Sequence, residues 1–262
     1  MTDPTHPYLD WEGPIPFAHR GGTSEHPENT APAFEHAVSL GYRYLETDVH
    51  LTADGVLVAF HDTDLLRTCG HQGEIIDMAW EEIAALRVDG REPIPLMRDL
   101  LERWPDVRFN IDCKADSAVE ALARLIEDTG AIDRVCIGAF SHRRLRSLRR
   151  RLGPRLLTAL SPSEVASLRL AGRIAGSRER VAQVPTAAGR SGTGDSGAGR
   201  QVSIVTPSFV RHAHTRGVPV HVWMINDEAE MHRLLDLGVD GLMTDRPELL
   251  RAVFEARGIW HG

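Results

Sequence analysis

Short apolar runs recur along the chain, and stretches with the apolar spacing of helices lie between most of them. This alternation predicts βα units around a parallel sheet, which is either a closed barrel or an open sheet. Eight runs are the strand candidates, at residues 15–19, 44–49, 107–113, 135–140, 156–160, 181–184, 218–225 and 241–244.

A further apolar run, at 56–61, decides between the two architectures. It follows Asp54-Gly55, and an Asp-Gly pair is a strong turn signal between extended segments. We expect a hairpin here, because a parallel crossover needs about a dozen residues or more. Residues from about 51 to 95 then form an insertion after strand two. The eight strands left favour a (β/α)8 TIM barrel, usually about 250 residues long, and so a single domain over residues 1–262.

Local signals place two helices and one loop. Asn29 and Thr30 precede a helical pattern that Gly41 ends, and Ser161 and Ser163 are able to cap a helix over 164–175. The small, Gly/Ser-rich stretch from about 187 to 200 is typical of a flexible surface loop. A phosphate-binding glycine loop is the alternative, although the GxxxxGK[ST] pattern is missing.

Composition restricts the partner and the compartment. The formal net charge is −7 and the isoelectric point is about 6.0, which argues against nucleic acid and anionic membranes as partners and favours a small molecule. Residues 1–14 lack the regions of a signal peptide, and no window approaches the roughly 20 apolar residues of a membrane span. We predict a cytoplasmic protein without stable membrane insertion. Its oligomeric state leaves no sign in the sequence.

Candidate chemistry begins at the ends of the first two strands. His19 and Arg20 end the first strand, and barrels carry their chemistry at the carboxyl ends of their strands. Glu46 and Asp48 are two residues apart on strand two and therefore project to the same side. Inside a barrel, a hard cation such as Mg²⁺ or Ca²⁺ makes such a pair of anions tolerable. Two alternatives stay open: His19 only caps a loop, and the carboxylate face points to solvent.

Asp112 and Lys114 repeat this spacing on the next barrel strand. Asp112 would then lie beside Glu46 and Asp48 as a third oxygen ligand. Lys114 is the single lysine among 30 basic residues, the rest being arginine. A compact ammonium suits a crowded centre of metal and phosphate better than a guanidinium does. The alternative is that this lysine has survived by chance.

His61 supplies a second imidazole, at the end of the hairpin strand. Two histidines suit an in-line phosphoryl displacement, since one removes a proton from the nucleophile and the other protonates the leaving oxygen. Trp223 and Asn226 end strand seven, where an aromatic ring and an amide are placed to contact substrate. A tryptophan that only packs is the alternative. His221 lies outside any HExxH pattern, so a packing or surface role is expected for it.

Together these residues lie in motifs that resemble the glycerophosphodiester phosphodiesterase family, part of the phosphatidylinositol phospholipase C-like phosphodiesterase superfamily. The matching motifs are HRGG at 19–22, PENT at 27–30, LETDVHLTADGVLVAFHD at 45–62, LxRT at 65–68, NIDCK at 110–114, HVWMIND at 221–227 and GVDGLMTDRPE at 238–248. The resemblance covers nearly the whole chain. Asp112 departs from the family pattern, which has glutamate there.

The resemblance implies a TIM barrel with a small insertion after strand two and a metal-dependent hydrolysis of glycerophosphodiesters to glycerol 3-phosphate and an alcohol. The implied roles are one divalent metal ion held by Glu46, Asp48 and Asp112, an acid/base pair of His19 and His61, and phosphoryl binding by Arg20 and Lys114. The glycerol hydroxyl next to the phosphate would attack phosphorus, and water would open the resulting cyclic phosphate.

Two other functions compete with this one. A phospholipase D that cleaves lysophospholipids would use the same centre with room for one acyl chain. A catalytically inactive module would keep the barrel fold and bind a phosphodiester without cleaving it. Retention of both histidines, the three carboxylates and the lysine argues against the inactive module.

Overall fold

A closed parallel barrel forms the centre of the molecule. The computed structural model describes residues 6–173, 180–188 and 202–262. The strands in these ranges are β1 (Ile15–His19), β2 (Tyr44–Leu51), β3 (Leu57–Ala59), β4 (Arg87–Val88), β5 (Glu92–Pro93), β6 (Arg108–Cys113), β7 (Val135–Gly138), β8 (Leu157–Ala159), β9 (Arg180–Val184), β10 (Ala187–Ala188), β11 (Val202–Ser203), β12 (Val220–Val222) and β13 (Gly241–Thr244). The barrel order is β1-β2-β6-β7-β8-β9-β12-β13, and β13 pairs with β1 to close it.

Helices cover the outside of the barrel. The α-helices are α1 (Ala31–Ser39), α2 (Leu66–Cys69), α3 (Trp80–Ala84), α4 (Met97–Arg103), α5 (Ala118–Asp128), α6 (His142–Leu152), α7 (Pro162–Ala171), α8 (Pro207–His214), α9 (Glu228–Asp236) and α10 (Pro247–Ala256). The predicted TIM barrel with an insertion after strand two is confirmed. Within the described ranges, no helix is both long and apolar enough to cross a membrane.

The insertion begins with the predicted hairpin. β3 pairs antiparallel with β2, with Val49 opposite Ala59, and Gly55 in the turn has a φ of 86°. The elements from β3 to α4 follow before the chain returns to the barrel at β6. The segment from β3 to just after β5 has a small apolar core of its own, made by Val58, Phe60, Leu65, Ile75, Ile83, Val88 and Ile94. The helix α4 packs in the main core instead. The predicted limits at 51 and 95 stay a prediction.

Alternation along each barrel strand separates two sets of side chains. On β2, Leu45 and Val49 join the apolar layer between barrel and helices, whereas Tyr44 packs inside the barrel with Phe17 and Met243. The period of two then turns the side chains of Glu46 and Asp48 inward as well. The interior is therefore apolar towards the strand starts and charged towards the strand ends, where the site lies.

The N-terminal segment covers the opposite end of the barrel. A 3₁₀ helix at Pro7–Leu9 places Tyr8, which is fully buried, beside Tyr44 at the start of β2. The Tyr44 hydroxyl donates to the Tyr8 carbonyl oxygen at 2.6 Å, and the two rings meet edge to face with centroids 5.2 Å apart. One end of the barrel is thus closed, so the polar end is the one that receives a ligand.

Several predicted boundaries were too long. The runs at 135–140 and 218–225 form strands only at Val135–Gly138 and Val220–Val222, because their outer residues leave the ladder at the barrel rims. The helix predicted over 164–175 is α7, which starts at Pro162 after the Ser161 cap and ends at Ala171. The predicted loop at 187–200 lies outside the described residues apart from Ala187 and Ala188, which form β10.

Candidate active site

His19 is the last residue of β1 and points into the barrel mouth, where its exposed fraction is only 8%. Its Nδ1 atom lies 2.6 Å from Asp245 Oδ1. The two residues meet because β1 and β13 are parallel neighbours, with Ala18 opposite Thr244. Since the carboxylate accepts, Nδ1 carries the hydrogen and Nε2 is directed towards the centre of the site, 3.7 Å from Glu46 Oε2.

Asn226 holds Asp245 from behind. Its Nδ2 donates to Asp245 Oδ2 at 2.7 Å, and its Oδ1 accepts from the Asp245 backbone N–H at 2.9 Å and from the Thr244 hydroxyl at 3.0 Å. The substrate contact predicted for Asn226 therefore stays a prediction, while its amide fixes the aspartate that orients His19. Trp223 is half-buried and meets the edge of the exposed Phe140 ring at 6.0 Å.

The predicted carboxylates come together with Lys114. Asp48 is directly opposite Asp112 in the pairing of β2 with β6. Lys114 Nζ lies 2.9 Å from Asp48 Oδ1 and 2.7 Å from Asp112 Oδ2, so it bridges the two strands. Glu46 and Asp48 are buried, which excludes a solvent-facing position for this side of β2. Asp112 Oδ1 is buried and has no hydrogen-bond partner among the residues that the structure describes.

Arg20 occupies a backbone conformation that is rare outside glycine, with a φ of 52°. Its backbone N–H donates to Glu46 Oε2 at 3.1 Å, and its side-chain Nε lies 3.3 Å from Asp48 Oδ2. The guanidinium and the Lys114 ammonium therefore share the Asp48 carboxylate. Asn29, with a φ of 55°, completes this side by donating from Nδ2 to Asp48 Oδ2 at 3.0 Å.

His61 reaches the site from the hairpin, just beyond β3. Its Nδ1 atom lies 2.6 Å from Asp62 Oδ1, which repeats the arrangement of His19 with Asp245. The buried His50 on β2 fixes its backbone, since His50 Nε2 lies 3.0 Å from the His61 carbonyl oxygen. The insertion thus delivers a second imidazole that an aspartate also orients.

The charges of the site shift its pKa values in opposite directions. Burial alone would lower the pKa of His19, but the charge of Glu46 and the hydrogen bond to Asp245 raise it above its ordinary value. Burial, together with the charges of Lys114 and Arg20, lowers the pKa of His61. Burial and the neighbouring Asp48 charge raise the pKa of Glu46. A second carboxylate nearby disfavours the charged form of the first, and this is the effect of Asp48 on Glu46.

Glu28 pairs with Arg20, and Arg67 pairs with Glu28 and Asp62. Five residues of this network were not predicted as site residues: Glu28, Asn29, Asp62, Arg67 and Asp245. Each lies inside a sequence motif noted above, such as PENT, LxRT or TDRPE. The motifs were thus the available signal. The partners could not be assigned from them, because Asp245 bonds to a histidine 226 positions away in the chain.

The site offers oxygen donors to a cation. Glu46, Asp48 and Asp112 are carboxylates, which hard divalent ions prefer, and Asp112 Oδ1 is a buried acceptor that no described residue bonds. Across the described ranges, no three His, Cys, Asp or Glu side chains are already grouped as a metal site. In this conformation Lys114 occupies the space between Asp48 and Asp112. The donor set fits Mg²⁺ or Ca²⁺ in its chemistry.

Residues 19–249 match the model of the glycerophosphoryl diester phosphodiesterase family. The chain belongs to this family. The match begins at His19 and contains every predicted site residue, and it confirms both the family resemblance and the enzyme class expected from the sequence. This phosphodiesterase family member is therefore an enzyme, and the barrel mouth is its candidate active site.

Relatives and solved structures agree with the family. A probable glycerophosphodiester phosphodiesterase of Mycobacterium tuberculosis is 39% identical over 99% of this chain and 97% of its own. A lysophospholipase D of Mus musculus is 27% identical over 90% of this chain and 84% of its own.

Two solved structures share the fold of this family member. A glycerophosphoryl diester phosphodiesterase from Silicibacter pomeroyi superposes with a TM-score of 0.78, at 22% identity and 96% and 97% coverage of the two chains. A phosphodiesterase from Oleispira antarctica, also 22% identical, superposes with a TM-score of 0.73 over 93% and 97% of the chains, and its structure contains the product sn-glycerol-3-phosphate.

Proposed function

We propose that this enzyme hydrolyses glycerophosphodiesters to glycerol 3-phosphate and an alcohol in a metal-dependent reaction, with His19 and His61 as general acid and base. One observation carries the proposal. Both histidines are held by an aspartate at Nδ1, and Nε2 of each forms no hydrogen bond with the described residues. Both therefore present a nitrogen for proton transfer at the mouth that also holds Arg20 and Lys114.

The proton transfers follow from this arrangement. The glycerol hydroxyl next to the phosphate attacks phosphorus, and one histidine takes its proton while the other protonates the departing alcohol oxygen. The P–O bond to the alcohol breaks as the bond that closes a cyclic phosphate forms. Water then opens the ring to glycerol 3-phosphate, with the same two histidines exchanging roles, so no net proton is gained or lost by the enzyme.

Arg20 and Lys114 bind the phosphoryl oxygens in this proposal. Lys114 is a compact point charge, and the charges of Asp48 and Asp112 raise its pKa against the effect of burial, so it stays cationic. Glu46, Asp48 and Asp112 would hold one Mg²⁺ or Ca²⁺ ion. When bound, such an ion supplies charge stabilisation at the phosphoryl oxygens. The orphan oxygen of Asp112 and the raised pKa of Glu46 support a cation here.

The direct test is release of glycerol 3-phosphate from a panel that contains glycerophosphocholine and glycerophosphoethanolamine, before and after chelation. We expect release that a chelator abolishes and that added Mg²⁺ or Ca²⁺ restores. Release that is indifferent to the chelator would refute the metal assignment while leaving the hydrolysis intact.

Cleavage of lysophospholipids is the second candidate. It is supported by the apolar side chains at the mouth, where Phe140 is 63% exposed and Met224 46% exposed, and by the activity named for the mouse relative. These side chains would contact an acyl chain. Turnover of glycerophosphocholine and of lysophosphatidylcholine under the same conditions separates the two functions, and a strong preference for the lyso substrate would reverse our order.

A further inference from the structure

Arg67 lies in α2, the first helix of the insertion, at the centre of a series of ion pairs. Its Nε donates to Asp62 Oδ2 at 2.5 Å, and its Nη1 and Nη2 donate to Glu28 Oε2 and Oε1 at 2.9 and 2.6 Å. One guanidinium therefore joins two carboxylates from separate parts of the chain. The pairing with Glu28 is bidentate, which fixes the relative orientation of the two planar groups.

Each of these carboxylates also holds a group of the proposed active site. Asp62 bonds through Oδ1 to His61 Nδ1 at 2.6 Å, and Glu28 accepts through Oε1 from Arg20 Nη1 at 2.9 Å. Arg67 itself bonds to neither His61 nor Arg20. One carboxylate separates Arg67 from each of these two groups, so Arg67 can act on the reaction only through Asp62 and Glu28.

These ion pairs connect the loop between β1 and α1 with the helix α2, and so fix the distance between the two. Glu28 belongs to the loop between β1 and α1, and Arg67 belongs to α2, which is a single turn anchored by the buried Leu65 before it. Burial alone would raise the pKa of Glu28, but the hydrogen bond from Arg67 and the charge of Arg20 lower it, so the carboxylate stays ionised. Both Glu28 ion pairs are thus retained at neutral pH.

The ion pairs of Arg67 contribute only modestly to folding stability. Its side chain is half exposed. Its partners Glu28 and Asp62 are only 16% and 21% exposed. Solvent screens the Arg67 end of both pairs, so each contributes on the order of 1 kcal/mol to folding, with the bidentate pair to Glu28 the stronger. A rigid, planar guanidinium that bonds two carboxylates at once fixes their positions relative to each other. Misplacing a reacting group by about 1 Å can cost about 100-fold in rate.

We propose that Arg67 is a positioning residue that holds His61 and Arg20 in one fixed arrangement, through Asp62 and Glu28. The proposal rests on the proposed function, since it assigns His61 to proton transfer and Arg20 to the phosphoryl group. It adds that the insertion supplies both His61 and the arginine that fixes the position of His61 relative to Arg20. We call Arg67, with its bonds to Asp62 and Glu28, the clamp.

The test compares Arg67→Met with Arg98→Met by steady-state release of glycerol 3-phosphate and by thermal unfolding. Arg98 is the matched control, because it is also half exposed and bonds to two carboxylates, of Glu102 and Asp128, away from the site. We expect Arg67→Met to lower kcat at least about tenfold, with Tm within about 4 °C of the unchanged enzyme. Arg98→Met should shift Tm similarly and leave kcat unchanged.

A double-mutant cycle separates the clamp from a general loss of charge. If Arg67 acts through Glu28, Glu28→Gln should lower kcat by a clearly smaller factor in the Arg67→Met background than in the unchanged enzyme, where it removes both the Arg67 and the Arg20 contacts together. Arg67→Lys keeps the charge but lacks the fork, so it should remain impaired. Wild-type kcat in Arg67→Met or Arg67→Lys, or fully additive effects in the cycle, would overturn the proposal.

His61→Ala shows which idea has failed. If it leaves turnover unchanged, or if the unchanged enzyme releases no glycerol 3-phosphate, the proposed function is wrong. If His61→Ala abolishes turnover and Arg67→Met retains it, only the positioning role is wrong.

Discussion

The two histidines of the site share one arrangement at the residue scale. Each bonds through Nδ1 to an aspartate, Asp245 for His19 and Asp62 for His61. Such a partner fixes the tautomer and the plane of an imidazole, which decides whether its other nitrogen is aimed at the reacting atoms. The aspartates therefore matter to proton transfer without touching substrate.

We predict that Asp245→Asn lowers kcat roughly 100-fold, towards the lower end of what a positioned acid–base group contributes. The amide no longer specifies the hydrogen on Nδ1, so His19 loses its fixed tautomer. Steady-state kinetics on a glycerophosphodiester measures the effect. Asp240→Asn is the control, since Asp240 also bonds a histidine, His214, but precedes the other end of β13. Equal kcat values in both variants would contradict the orienting role.

Sequence reasoning reached the residues that carry charge but not those that position them. Glu46, Asp48, Asp112 and Lys114 could be grouped because their spacing of two puts each pair on one face of a strand. Asp245 and Arg67 could not, because their roles depend on partners brought near only by barrel closure and by the insertion. The same holds for Asn226, since the sequence predicted its place after a strand but not its hydrogen bond to Asp245.

At the element scale, the loop between β1 and α1 determines where Arg20 and Asn29 lie. The loop turns back so tightly that a Cβ atom on Gly21 would lie 2.8 Å from the backbone of Ala33 and Phe34, and Gly21 has a φ of 83°. Close packing of this loop on the first turn of α1 thus holds Arg20 in its left-handed conformation. Strain at Arg20 is tolerated because its neighbours allow no other path.

Gly21→Ala should destabilise the enzyme by clearly more than about 1–2 kcal/mol, the cost of the left-handed backbone alone. The excess comes from backbone atoms that cannot move aside. Gly130→Ala isolates the backbone part, since Gly130 has a φ of 61° and nothing within 4 Å of an added Cβ. Urea denaturation of both variants gives the comparison, and matching losses of stability would show that the close approach is not real.

The elements themselves were predicted where one local rule acts alone. Asp54-Gly55 predicted the hairpin of β2 with β3, and the serines at 161 and 163 predicted the start of α7 within two residues. Strand ends were predicted less accurately. Ala139 continues the apolar run beyond the last paired residue of β7, and Pro219 begins it before the first paired residue of β12. Apolar character persists at the rim, while hydrogen bonding between strands does not.

For the whole molecule, the barrel interior changes from apolar to charged along its axis. His221 is an ionisable side chain within the apolar part. It is fully buried against Phe17, with ring centroids 5.0 Å apart, and both ring nitrogens lack a hydrogen-bond partner among the described residues. Burial lowers its pKa from 6.5 to about 4. The folded protein therefore keeps this imidazole neutral.

This burial makes stability depend on pH. The folded pKa lies below the unfolded value, so the unfolded chain takes up the proton first, and stability falls as pH drops from about 6.5 towards 4. Between pH 7 and pH 5 we expect a loss of about 2 kcal/mol from this group. The free energy of unfolding in urea should show it, and His221→Gln should reduce the slope. An unchanged slope in the variant would assign the pH dependence to other groups.

The central claim is that His19 and His61 act together at one phosphodiester centre. The most direct measurement is release of glycerol 3-phosphate from glycerophosphocholine, with Mg²⁺ or Ca²⁺ supplied, by the unchanged enzyme and by folded His19→Ala and His61→Ala. We predict that each substitution lowers kcat at least about 100-fold, because each removes a general acid or base. Turnover that survives unchanged in either variant would contradict the two-histidine account of this site.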